Sequence, residues 1–222
     1  MPGSEEITRL KDARDVDALL ALLGDPAFLV RERAALALGE IGETRAVAPL
    51  IALLRSRDPA SEEVAAALGM LSDPAAIDVL LEALGDRDDH VMRDAAAAAL
   101  GAFDEPRVIE ALGLVVTEGS MVVTRAVAAR ALGDIGGSAS SQALLPALSD
   151  PDGMNRGHIA LALGAAGDRR AVEPLAQALA HEDDRSAARA VRRGRPRQRA
   201  LQGSARPLPA GASRLLRCGW SV

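Results

Sequence analysis

Three histidines and one cysteine are the side chains of this 222-residue chain with the widest chemical reach, and each stands by itself. Metal ligation needs several converging donors, and nucleophilic catalysis needs a thiol or hydroxyl held beside a base. His90 follows Asp88-Asp89 and His181 precedes Glu182-Asp183, both polar stretches of loop character. His158 falls early in an Ala-rich segment, next to Gly157. The lone Cys218 excludes an intramolecular disulfide and the cysteine clusters of zinc and iron–sulfur sites. No catalytic residue, metal or cofactor is expected, so the chemistry to look for is binding.

Whatever binds must be held by a repeat. Leu38-Gly39 returns as Leu68-Gly69, Leu100-Gly101, Leu132-Gly133 and Leu163-Gly164, in steps of 30, 32, 32 and 31 residues. A period in that range marks an array of like units. Each unit opens with an apolar stretch at helical spacing, such as Val47, Leu50, Ile51, Leu53 and Leu54, with Pro49 tolerated in the first turn. A polar break follows, often Asp-Pro as at Asp25-Pro26, Asp58-Pro59 and Asp150-Pro151. Then comes an Ala-rich helix, expected over 31–38, 62–71, 91–103, 124–135 and 156–165. The marker Gly should lie inside it, where it costs about 1 kcal/mol relative to Ala. Five recurrences of that cost predict a helix–helix contact that a Cβ would block.

The wording of the unit adds a resemblance. "Val-Arg-x-x-Ala-Ala-x-Ala-Leu-Gly-x-Ile-Gly" from Val30 to Gly42 and "Arg-Ala-Val-x-Pro-Leu" from Arg45 to Leu50, repeated from Arg170 to Leu175, resemble the short bilin-lyase HEAT-like repeat. The resemblance spans residues 15–184. It implies an all-α fold, an α-solenoid of about six stacked helical hairpins, with residues 1–14 as a lead-in. Tetratricopeptide repeats want Trp and Tyr at fixed places, and the chain has no Tyr. The ankyrin Thr-Pro-Leu-His signature is missing too. A related class, the deoxyhypusine hydroxylases, holds two irons with His-Glu pairs on successive second helices. The corresponding pairs here read Glu32-Arg33, Glu62-Glu63, Asp94-Ala95, Ala126-Val127 and Gly157-His158, so that activity is not expected.

Charge divides the chain. Residues 1–184 hold 16 of the 26 basic side chains and all 31 acids, a net of −15, while 185–222 hold ten Arg and no acid. An array at −15 repels nucleic acid, and aromatics at 1% leave little to stack on bases or on a flat tetrapyrrole. Only the tail could contact nucleic acid, and without specificity. Three origins fit that Arg-rich, irregular tail: a GC-rich gene read out of frame, a disordered basic segment that contacts a partner, or one that folds back on the acidic body. No apolar run approaches the roughly 18 residues of a membrane span, which makes a cytoplasmic protein the default expectation.

Two sets of polar residues recur. Eight residues before the marker Gly stand Arg31, Arg93, Arg125 and Arg156, and Ser61 breaks the series. Asp25 and Asp150 precede Arg31 and Arg156 by six. A basic ladder for phosphates or propionates is one reading; the resemblance favours the other, in which each Arg pairs with a loop Asp of its own or the adjacent hairpin and ties the stack together. The second set should face outward from the second helices: Glu32, Arg33, Leu36, Glu62, Glu63, Asp94, Val127, Arg130, His158 and Leu161. If they line a concave face, it is acidic at its N-terminal half and more apolar beyond, suited to a basic, amphipathic segment of another protein. The alternative is a solvated face whose acids answer the helix dipole.

Three functions remain: a protein-binding scaffold, an accessory of bilin attachment, and nucleic-acid contact through the basic tail only. The array also carries a stability expectation. Its sixth unit ends in the tail, so Val172, Leu175 and Leu179 lack a full neighbour, and that end should fray or associate with a second copy. Hydrogen exchange is expected to show lower protection there than in units two to four; equal protection would refute it.

Overall fold

Apolar residues at helical spacing on both sides of a short polar break can bury only one face each, so the two helices of a unit close on each other. The computed structural model describes residues 4–58 and 61–181. Among them are twelve α-helices and no strand. α1 (Ser4–Asp12) leads in and packs on the first hairpin. Five hairpins follow: α2 (Val16–Leu22) with α3 (Phe28–Ile41), α4 (Val47–Arg55) with α5 (Ser61–Leu71), α6 (Ile77–Gly85) with α7 (His90–Leu100), α8 (Pro106–Glu118) with α9 (Val122–Ile135), and α10 (Gly137–Leu144) with α11 (Gly153–Ala166). A 3-10 turn, Leu145–Ser149, prolongs α10. α12 (Val172–Ala180) opens the sixth unit, whose second half and the Arg-rich tail lie outside the described residues.

The breaks are built by local side-chain caps. Asp15, Asp89 and Asp152 accept backbone N–H bonds at the starts of α2, α7 and α11, with Ala18, Met92 and Met154 as donors at 3.1, 2.9 and 2.8 Å. Glu43, Asp73 and Asp168 open 3-10 turns before α4, α6 and α12 in the same way. α3 ends at Gly42 with φ of +77°, a conformation that a Cβ would strain. Ser72 holds the same place after α5 at φ +50°, its hydroxyl donating to the Gly69 carbonyl at 2.9 Å.

The second helices α3, α5, α7, α9 and α11 pack each on the next, and the marker glycine is where they touch. A Cβ built on Gly39 would stand 3.0 Å from Ala67 Cα, and one on Gly69 would stand 3.0 Å from Ala99 Cα. Gly101 faces Ala131 and Gly133 faces Ala162, both at 3.1 Å. Each of those alanines sits two residues before the next marker glycine. At each of these four junctions Gly faces forward and Ala backward, and the Leu between them is fully buried in all five units. In α3, α5, α9 and α11 the glycine is inside the helix, as expected. At the third unit α7 stops at Leu100 and Gly101 caps it, still in right-handed backbone (φ −60°, ψ −12°).

First helices complete the core with Leu50, Leu54, Ile77, Leu80, Leu112 and Leu144, so one apolar layer runs through all five hairpins. Gly39→Ala and Gly69→Ala should each destabilise by about 1–3 kcal/mol through overpacking, despite the helix propensity gained. Gly85→Ala, whose Cβ meets nothing within 4 Å, should be neutral or stabilising. Urea denaturation of the three variants checks the contrast.

Candidate partner-binding face

Eight residues before the glycine, a side chain leaves the second helix toward the loops, where the first helix has just ended with unpaired carbonyls. Arg31 donates to the Asp25 carbonyl at 2.6 Å and the Pro26 carbonyl at 3.1 Å, and its other nitrogens reach the Asp58 carboxylate of the next hairpin at 2.8 Å. Both side chains are 13% exposed. Arg125 repeats the pattern three units on: it donates to the Val116 carbonyl at 3.0 Å and pairs with Asp150 of the fifth hairpin. Arg93 reaches the Leu84 carbonyl at 3.0 Å, and Arg156 the carbonyls of Asp150 and Pro151 at 2.7 and 3.1 Å. Asp25 contributes its carbonyl to Arg31, while its carboxylate accepts the Ala27 N–H at 2.8 Å. These guanidinium groups lie against helix-terminal carbonyls and loop carboxylates, a placement favoured by the helix dipole.

The opposite side of the second helices faces outward. Glu32, Glu63 and Asp94 are half-buried and Glu62 is exposed, with Arg33 exposed beside them. Leu36 and Val127 are half-buried; Arg130, His158 and Leu161 are exposed, and Gly157 is buried. Neither Glu32, Glu62, Glu63 nor Asp94 has a side-chain hydrogen bond or ion pair among the described residues, and Asp94 Oδ1 is buried without a donor. Burial raises the Glu62 carboxyl above its ordinary value, and the nearby carboxylates of Glu63, Asp89 and Glu32 raise it further. The first two second helices and the start of the third thus share one uncompensated acidic zone.

One row on this side escaped the sequence reading. Leu29, Val91, Val123 and Met154, ten residues before their marker glycines, are exposed, Val123 by 61% and Met154 by 67%. Phe28 lies next to Leu29, also exposed. Positions ten, seven, six and three before the glycine share a helix face, so this apolar row runs beside the acidic one. The recurrence at a fixed offset was the available signal. His90 is also placed differently from expectation: it is the first residue of α7, not a loop residue. Among the described residues, no three His, Cys, Asp or Glu side chains gather as metal ligands, and no helix is long and apolar enough to cross a membrane.

Stacked hairpins with one outward helix layer and no metal-ligand cluster among the described residues define a helical-repeat protein of the solenoid class. The family model for HEAT repeats matches residues 5–65, 58–120 and 115–194, and the chain belongs to that family. No curated protein matches the sequence. Among solved structures, the complex of CpcE and CpcF of phycocyanin lyase from Nostoc sp. PCC7120 is similar at a TM-score of 0.54 and 26% identity, over 94% of this chain and 82% of that one. An engineered protein is similar at a TM-score of 0.55 and 23% identity, over 81% of this chain and 94% of its own, a likeness of fold.

The raised Glu62 carboxyl has a consequence for stability. The folded chain holds that proton more tightly than the unfolded one, so stability falls as pH rises from the ordinary carboxyl value of 4.5 through the raised one, and the penalty persists at neutral pH. Glu62→Gln is expected to raise the melting temperature at pH 7, with the gain vanishing below about pH 4, where the carboxyl is neutral in both states. A thermal melt series across pH reads this; no gain at pH 7 would contradict the assignment.

Proposed function

We propose that the protein is a non-catalytic binding module, and that the outward side of its second helices takes a basic, amphipathic segment of another protein. One observation carries the reading. Glu32, Glu62, Glu63 and Asp94 carry no cation among the described residues, although they share helix faces with the exposed Leu29 and Val91. Unpaired carboxylates repel one another, and a partner that brings cations and an apolar stripe relieves both the repulsion and the exposed area. The units beyond, with Val127, Arg130, His158 and Leu161, extend the same face with less negative charge. The Arg-rich tail, residues 185–222, has the complementary sign as well; contact with nucleic acid would fall to it alone.

A second reading is an accessory role in bilin attachment. It is favoured by the 26% identity to the CpcE–CpcF complex over nearly the whole chain. That neighbour is a complex of two proteins, so both readings involve a protein partner.

Native mass spectrometry of the protein purified from its own cells tests the choice. The expected result is a co-purifying polypeptide that is lost from the Glu32→Lys, Glu62→Lys, Asp94→Lys triple variant and weakened by salt. A partner retained by that variant would overturn the acidic face. A bound mass of a few hundred daltons with visible absorbance would favour the bilin reading.

A further inference from the structure

The arginine ladder has a gap at the second unit, and a cleft opens there. Where the other four complete units carry Arg, this one carries Ser61, whose short hydroxyl donates to the Asp58 carbonyl. Around it, between the second and third hairpins, lies a cleft of about 290 Å³. Leu54, Val79 and Met92 line it with apolar surface; Asp58, Glu62, Glu82, Asp86 and Asp89 line it with carboxylates, which outnumber its two cations, Arg55 and Arg57.

The neighbouring units show what chemistry such a place takes. In the first hairpin the guanidinium of Arg31 bridges from its own loop carbonyls to Asp58, and in the fourth that of Arg125 bridges from Val116 to Asp150. Asp86 stands in the loop of the third hairpin as Asp58 and Asp150 stand in theirs. Arg57, 82% exposed, reaches Asp86 at 2.8 Å and makes this rung from the solvent side. That leaves Glu62 and Glu82 without a side-chain partner, and Asp89 with only the Met92 N–H that it caps.

We infer that this cleft is a socket for an arginine side chain of the partner segment, its stem on Leu54, Val79 and Met92 and its guanidinium among Glu62, Glu82 and Asp89. A cationic head on an apolar stem matches an acidic rim over an apolar floor. Arginine fits better than lysine because its planar fork carries five N–H donors and can serve more than one carboxylate at once. The raised Glu62 carboxyl agrees with this arrangement, since a cation beside it would favour the charged form that burial and the neighbouring carboxylates disfavour. The socket meets the binding face proposed above at Glu62, at the start of α5, and rests on that reading for its biological occupant.

The chemistry itself can be tested without the partner. N-acetyl-arginine methylamide, and its neutral citrulline counterpart, would be titrated into the 15N-labelled full chain and followed by amide shifts. Saturating shifts confined to residues near 54–62 and 82–92 are expected with the arginine probe and not with citrulline. Glu82→Gln should weaken the probe by about tenfold, the worth of one charge-assisted hydrogen bond. Ser61→Arg should abolish the shifts and raise the melting temperature, because it restores the missing rung and fills the cleft. Equal response to citrulline, unchanged shifts in Ser61→Arg, or a lowered melting temperature in that variant would each overturn the socket. A failed probe with a charge-dependent partner retires the socket and keeps the binding face; a bound probe with no partner does the reverse.

Discussion

Close approach of successive second helices at a glycine is the constraint from which the rest of this molecule follows. Each marker Gly costs the helix about 1 kcal/mol in propensity. In return Gly39, Gly69, Gly101 and Gly133 let the next helix lay an alanine Cα where their own Cβ would have been. Dispersion contacts at that range are individually small, but they recur along the whole interface and at every unit. The alanines two residues ahead are equally required, since a longer side chain there would push the glycine away. With spacing set by backbone rather than by side chains, the outward positions of the five second helices recur at fixed offsets from the glycine. Those positions are what a partner would read.

Polar interactions then fasten what the glycine contacts bring together. Arg31 and Arg125 each satisfy carbonyls left open at the end of a first helix and hold a carboxylate of the following hairpin. Such pairs are sparingly exposed, so their geometry matters more than that of surface pairs such as Arg45 with Asp17. The array thus uses its arginines for its own cohesion at one edge and leaves carboxylates unpaired on the outward face. That division of charge is the physical basis of the binding role proposed here, because the unpaired side attracts cations without any rearrangement of the stack. The cleft beside Ser61 is the place where the division fails, and there a guanidinium from outside could complete what the chain omits.

Much of this was legible from the residues alone. The Leu-Gly period located the units and predicted a contact that a Cβ would block; Ala67, Ala99, Ala131 and Ala162 are the partners in that contact. Amphipathic spacing placed the second helices to within a few residues. Helical spacing groups the acids from Glu32 to Asp94 on one expected stripe, but it does not mark Leu29, Val91, Val123 and Met154 as an exposed row. Those residues read as ordinary helix starts until their exposure is known, because a valine in a first turn is as often buried as not.

The sequence by itself determined the kind of fold, the repeat register and the sign of charge along each row, since all three depend on spacing within a single helix and helical geometry makes that spacing predictable. Only the tertiary structure decided which carboxylate each arginine meets: Asp58 for Arg31, 27 residues on, and Asp86 for Arg57, 29 residues on. Those pairings depend on loop lengths that vary from unit to unit and on how far a side chain can reach across a gap between hairpins. The same is true of the cleft at Ser61, because a missing side chain becomes a space only when the neighbours that would have enclosed it are held apart by the stack.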